Sequence, residues 1–82
     1  MNKLQAMEVF IQVVDCGSFT KAAEMLNLPK ATVSTLVQTL ESALSVKLLH
    51  RTTRQVMITS DGAAYYERCV QILSDVRDAE ES

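Results

Sequence analysis

Lys30, Ala31, Ser34, Thr35 and Gln38 interleave with Val33, Val37, Leu40 and Leu44, apolar residues that recur at i, i+4, i+7 and i+11. On a helix whose apolar stripe is buried, the interleaved residues face outward as a small, polar, almost uncharged surface. Serine, threonine, lysine and glutamine side chains hydrogen-bond to base edges, and an alanine or threonine methyl can meet the thymine methyl. More chemistry lies just downstream, where Arg51-Thr52-Thr53-Arg54-Gln55 separates two short β-prone runs, Val46 to His50 and Val56 to Thr59. The spacing predicts a small hairpin with a basic tip, able to reach phosphates or a minor groove. Arg51 has a second use open to it, an ion pair with Glu41 or another carboxylate of the body.

Two helices must precede that polar face to hold it. Leu4, Met7, Phe10, Ile11 and Val14 stand three or four apart and predict a helix to about Asp15, stopped by Cys16-Gly17. Ser18 then caps a short helix from Phe19 to Leu26, with Phe19, Ala22, Ala23 and Leu26 on one face. Asn27-Leu28-Pro29 breaks it and starts the next, because Asn tolerates positive φ and Pro is tolerated in a first helical turn. Two helices joined by a tight turn, the second with a polar outer face, describe a helix-turn-helix. The hairpin is marginal alone in water and must lean on these helices. Beyond it, Thr59 or Ser60 caps a long final helix with Asp61 in its first turn. Tyr66, Cys69, Val70, Leu73 and Val76 form its stripe, and Tyr65 and Ile72 widen it beyond what one small body needs to cover. His50 is predicted as a strand residue beside the basic tip, and both tyrosines as packing residues.

Composition limits what else the chain can be. At 82 residues it is one small domain or a fragment of something longer, with no room for a large catalytic cleft. With 48% hydrophobic residues, 22% charged, two Gly and one Pro, it reads as a folded helical chain. Cys16, Cys69 and the single histidine, His50, cannot assemble a zinc site of the usual kind, so no metal or cofactor is expected. No Ser-His-Asp set or Gly-rich phosphate loop is present, which argues against an enzyme. The absence of a signal peptide or a long apolar run predicts a cytoplasmic chain with reduced thiols. The net charge of −2 conceals an asymmetry. Residues 1–60 carry six basic against four acidic side chains, and residues 61–82 carry two against six. A polyanion meets the local field of the basic body first.

The run Gly17 to Glu24, with Leu26, Ala31 to Ser34, Leu40-Glu41, Leu44, Val46-Lys47-Leu48, Arg51-Thr52, Arg54 and Thr59 to Gly62, resembles the N-terminal DNA-binding domain of LysR-type bacterial transcriptional regulators. The match spans essentially all 82 residues. It implies a mainly α fold: a winged helix-turn-helix with a three-helix body and a small β-hairpin wing over residues 1–59, then a linker and dimerisation helix over 60–82. It also implies sequence-specific binding of double-stranded DNA, with the recognition helix in the major groove and the wing in the minor groove.

By the same resemblance, Lys30, Ala31, Ser34 and Thr35 are groove-facing, with Thr32 and Gln38 beside them. Arg54 with Thr53 alongside is the wing tip, and Arg51 joins the DNA contacts. Ser18, Thr20 and Lys21 open the preceding helix, where amides and hydroxyls can hold a phosphate. Tyr66, Cys69, Val70, Leu73 and Val76 form a homodimer interface in which the last helices pack antiparallel, so that the operator is two-fold symmetric. A tetramer is left open for a full-length protein, and a small-molecule effector would bind only through a larger domain absent from this chain. The sequence departs from the family pattern at Thr35, where arginine is common, and at Lys30, where glutamine is usual. Pro29 stands in place of a capping serine, and Ser45 in place of a glycine. The rival reading is a helical protein-interaction module without DNA binding, in which the broad stripe of the last helix takes a partner. Its support is the negative net charge.

Overall fold

Caps set the helix boundaries. The computed structural model describes residues 2–51 and 55–81, in the order α1 (Lys3–Cys16), α2 (Phe19–Leu26), α3 (Lys30–Leu44), β1 (Leu49–Arg51), β2 (Val56–Ile58) and α4 (Ser60–Glu81). Asn2 opens α1 by accepting the Gln5 amide on its side chain, and Gly17 closes it at φ 66°. Helix α1 thus runs one residue past the expected Asp15. Ser18 Oγ accepts the Lys21 amide at 3.2 Å to start α2, and Asn27 ends it at φ 56°. Pro29 precedes α3 with no side-chain cap bond, and Ser45 ends that helix in the left-handed region at φ 59°. Thr59 caps α4, its Oγ1 accepting the Gly62 amide at 2.9 Å while donating to the Lys47 carbonyl at 2.7 Å.

Helix α1 is the central post, packed against α2, α3, α4 and β2. Contact from several sides buries Ala6, Met7, Val9, Phe10 and Val13, a wider face than the predicted stripe, and leaves Leu4 largely exposed. Val33, Val37 and Leu40 of α3 are buried as their spacing requires, whereas Leu44 at the helix end is 39% exposed. The hairpin is antiparallel, with Leu49 opposite Ile58, His50 opposite Met57 and Arg51 opposite Val56. It is shorter than expected. Val46, Lys47 and Leu48 are not part of the strand: the Val46 amide bonds back to the Glu41 carbonyl, and the Glu41 carboxylate accepts the amides of Leu48 and Leu49 at 2.8 and 3.2 Å. A carboxylate bonded to two amides holds the chain against α3 before it can pair with β2.

Helix α4 begins where its first turn rests on the Leu48 backbone. A Cβ on Gly62 would collide with the Leu48 carbonyl, so only glycine permits that approach. Farther along, the expected dimer stripe divides. Cys69 is fully buried and Leu73 is only 6% exposed in the core that this chain builds for itself, so neither is surface for a partner. Val70 and Ile72, on the flanks of that buried line, are the exposed apolar residues of α4, while Tyr66 and Val76 are half-buried. The face was legible in the periodicity. What covers it is α1, with which α4 is in extensive contact.

Candidate nucleic-acid interface

Burying Val33, Val37 and Leu40 turns the polar residues of α3 outward, as the interleaved spacing requires. Lys30, Ala31, Thr32, Thr35 and Gln38 are exposed, and Ser34 is half-buried. The Thr39 hydroxyl is spent within the helix, donating to the Thr35 carbonyl at 2.8 Å. At the opening of α2, Thr20 and Lys21 are exposed and the Ser18 side chain is occupied as a cap. Thr20 and Lys30, from different helices, line one open cleft of about 490 Å³ with Glu24, Asn27 and Pro29. The tight turn therefore brings the front of α2 beside the front of α3.

The other grouping is made by the strand after α3. Side chains alternate along a strand, so Arg51 shares the face of buried Leu49 while His50 points away. Arg51 consequently folds back on the body. Its guanidinium lies 3.8 Å from the centre of the Phe19 ring, and Nη2 donates to Ser34 Oγ at 2.7 Å. The alternative of an Arg51–Glu41 ion pair is not what the structure shows: Glu41 is occupied by the Leu48 and Leu49 amides, and Arg51 joins α2 to α3 instead. A second cleft of about 180 Å³ lies beside this contact, lined among others by Gln38, Glu41, Lys47 and Arg51. Lys47, outside the predicted set of site residues, is an exposed cation lining this cleft. Its position just before a basic hairpin was the available signal. Thr53 and Arg54, expected at the wing tip, lie outside the described residues.

Two aromatic rings and a thiol come together where α4 packs on α1. Phe10 and Tyr65 rings stand 5.8 Å apart at 46°, and burial, followed by the neighbouring Cys69 thiol, pushes the Tyr65 hydroxyl up to about 12. Burial likewise raises the Cys69 thiol, which keeps it protonated and unreactive. Both cysteines are free. Among the described residues no group of three metal-binding side chains comes together, and no helix is long and apolar enough to cross a membrane.

The same architecture recurs in known proteins. The profile of the family described as bacterial regulatory helix-turn-helix protein, lysR family, matches residues 4–63. An HTH-type transcriptional repressor of Pseudomonas aeruginosa is 51% identical over 80 residues, covering 98% of this chain and 25% of the relative. The HTH-type transcriptional activator AaeR of Escherichia coli is 43% identical, with 99% of this chain and 26% of the relative covered. The chain thus spans about a quarter of the length of the curated relatives it matches. Among solved structures, the BenM DNA-binding domain in complex with catB site 1 DNA superposes with a TM-score of 0.92 at 35% identity, over 95% of this chain and 88% of that one. The CbnR DNA-binding domain in its DNA complex gives a TM-score of 0.93 at 28% identity, over 95% and 90%. A winged helix-turn-helix with this polar α3 face, matched along nearly its whole length, places the chain in the LysR family of bacterial helix-turn-helix regulators, as a DNA-binding domain of transcription regulation.

Proposed function

We propose that this domain binds double-stranded DNA sequence-specifically as a homodimer, with α3 in the major groove and the hairpin wing at the adjacent minor groove. The observation that carries the reading is the outer face of α3, where Lys30, Ala31, Thr32, Thr35 and Gln38 are exposed, Gln38 shares a cleft with the basic residues Lys47 and Arg51, and Ser34 is bonded to Arg51. Ser34 and Thr35 read bases, and Thr20, Lys21 and Lys30 position the helix on phosphates. Arg54, with Thr53, reaches the minor groove. The activity belongs to the cytoplasm, and a small-molecule effector would act through residues outside this chain. The solved DNA complexes of BenM and CbnR domains support this reading, since each joins the same fold to DNA.

Two copies related by two-fold symmetry would join through α4, whose exposed Val70 and half-buried Val76 remain available after Cys69 and Leu73 are spent on the core. Binding of a labelled duplex at rising salt tests the reading against a protein-interaction module. Phosphate contacts release counterions, so affinity should fall steeply and linearly on logarithmic axes, with a slope of about −0.9 per phosphate contact. Salt-independent binding, or none, would favour the interaction module.

A further inference from the structure

Arg51 brings a basic charge from β1 to α3, yet its side chain is already committed to contacts within the chain. The guanidinium is stacked on Phe19, the first residue of α2, and bonded to Ser34 in the second turn of α3. One side chain from β1 thereby fixes three elements at the surface that would face DNA. We propose that Arg51 is a positioning residue for base recognition: it sets the orientation of the Ser34 hydroxyl and remains stacked on Phe19 when DNA is bound. The inference rests on the DNA-binding reading above.

A serine hydroxyl has one proton to give and two lone pairs to receive. In a helix it rotates freely or turns back to a carbonyl of the preceding turn, as the Thr39 hydroxyl does here. Arg51 removes that freedom for Ser34. Its charged N–H occupies the oxygen, and a charge-assisted bond of this kind is short and strongly oriented. One lone pair and the proton remain, but an oxygen already bonded to a cation is a poorer acceptor and its polarised proton a better donor, so Ser34 acts chiefly as a donor. Donors select guanine O6 and N7, adenine N7 or thymine O4, and find no partner in the cytosine amino group. Cytosine should therefore be disfavoured where Ser34 meets the operator.

Only arginine fits this role. Its flat guanidinium stacks on a ring while its fork hydrogen-bonds in a fixed direction, whereas lysine brings an equal charge without either constraint. A residue that merely neutralised a phosphate would tolerate that exchange. The Arg51→Lys variant thus separates orientation from charge.

The experiment profiles binding of the domain to every single-base variant of its selected duplex, for the parent, Arg51→Lys, Ser34→Ala and the double variant. Arg51→Lys and Ser34→Ala should each flatten preference at the same symmetric pair of positions, by about fivefold or more. The double variant should be no flatter than either single one. In parallel, the Arg51 Nε–H proton should show the upfield ring-current shift of a guanidinium over Phe19, both free and on DNA, a readout that does not depend on any variant folding. An Arg51→Lys profile equal to the parent's, or loss of the ring-current shift on binding DNA, overturns the assignment of Arg51 while leaving the DNA-binding reading intact. A parent domain that prefers no duplex overturns both.

Discussion

The Tyr66 hydroxyl donates to Asp15 Oδ1 at 2.6 Å across 51 positions of sequence, tying the second turn of α4 to the last turn of α1. That bond holds α4 to the body at the point where α1 gives way to the helix-turn-helix. The accepting carboxylate, with smaller contributions from burial and charge, raises the Tyr66 hydroxyl above its ordinary value of 10. The bond is partly exposed, so Tyr66→Phe should cost only about 0.5–1 kcal/mol.

The same bond sets a pH dependence at the alkaline end. A group whose folded value is raised stabilises the fold fully below its unfolded value, near 10, and loses that contribution as pH rises through the folded value. Tyr65, pushed up to about 12, acts in the same direction. Stability measured by urea titration should therefore be level in this respect up to about pH 9 and decline above pH 10. The decline should be shallower in Tyr66→Phe, and an equal decline in parent and variant would show that Tyr66 is not held by Asp15.

Gly62→Ala should be among the most damaging single-methyl additions in the chain. The new Cβ meets the backbone carbonyl of Leu48, which cannot rotate away as a side chain would. A gain in helix propensity is outweighed by overpacking, giving a net loss of roughly 2–3 kcal/mol and a melting temperature lower by about 10–20 °C. A melting temperature within a few degrees of the parent would mean that α4 does not rest on Leu48.

Ser45→Gly should stabilise the domain. Ser45 ends α3 at φ 59°, a conformation that costs a residue with a Cβ about 1 kcal/mol and glycine nothing. Part of that gain is lost to the greater freedom of glycine in the unfolded chain, leaving about 0.5 kcal/mol or slightly more. Thermal unfolding checks the sign: a lower melting temperature for the variant contradicts the left-handed assignment.

Association through α4 is tested at Val70 and not at Leu73. Leu73 is buried in the chain's own core, so Leu73→Glu would unfold the body and say nothing of a partner. Val70 is 43% exposed, and Val70→Glu should leave the melting temperature of an isolated protomer nearly unchanged. In sedimentation the variant should run as a monomer and bind a paired site far more weakly than the parent, with half-site binding retained. A variant that still sediments as a dimer places the interface elsewhere.

Local signals carried much of the fold. Gly17, Ser18, Asn27 and Thr59 act as the caps and breaks their residue types suggest, and α2 occupies the expected residues because those signals are chemical and local. Long-range partners were harder to read. The stripe through Cys69 and Leu73 announced an apolar face, but periodicity cannot say whether a partner or α1 covers it. The shortened β1 depends on a carboxylate seven positions upstream that claims two amides. Arg51 stands among the predicted site residues. Its contacts with Phe19 and Ser34 depend on how α2, α3 and β1 meet, which no spacing along the chain encodes.

The most direct test of the whole account is selection of bound duplexes from a random pool by the purified domain, followed by sequencing of the survivors. A dimer that places one α3 in each of two major grooves predicts a two-fold symmetric motif with half-site centres about 10 base pairs, or a multiple of that, apart. Within each half-site the strongest preference should fall opposite Ser34 and Thr35. Survivors with no shared motif, or a single unpaired motif, would contradict the account, the first by removing sequence recognition and the second by removing the dimer.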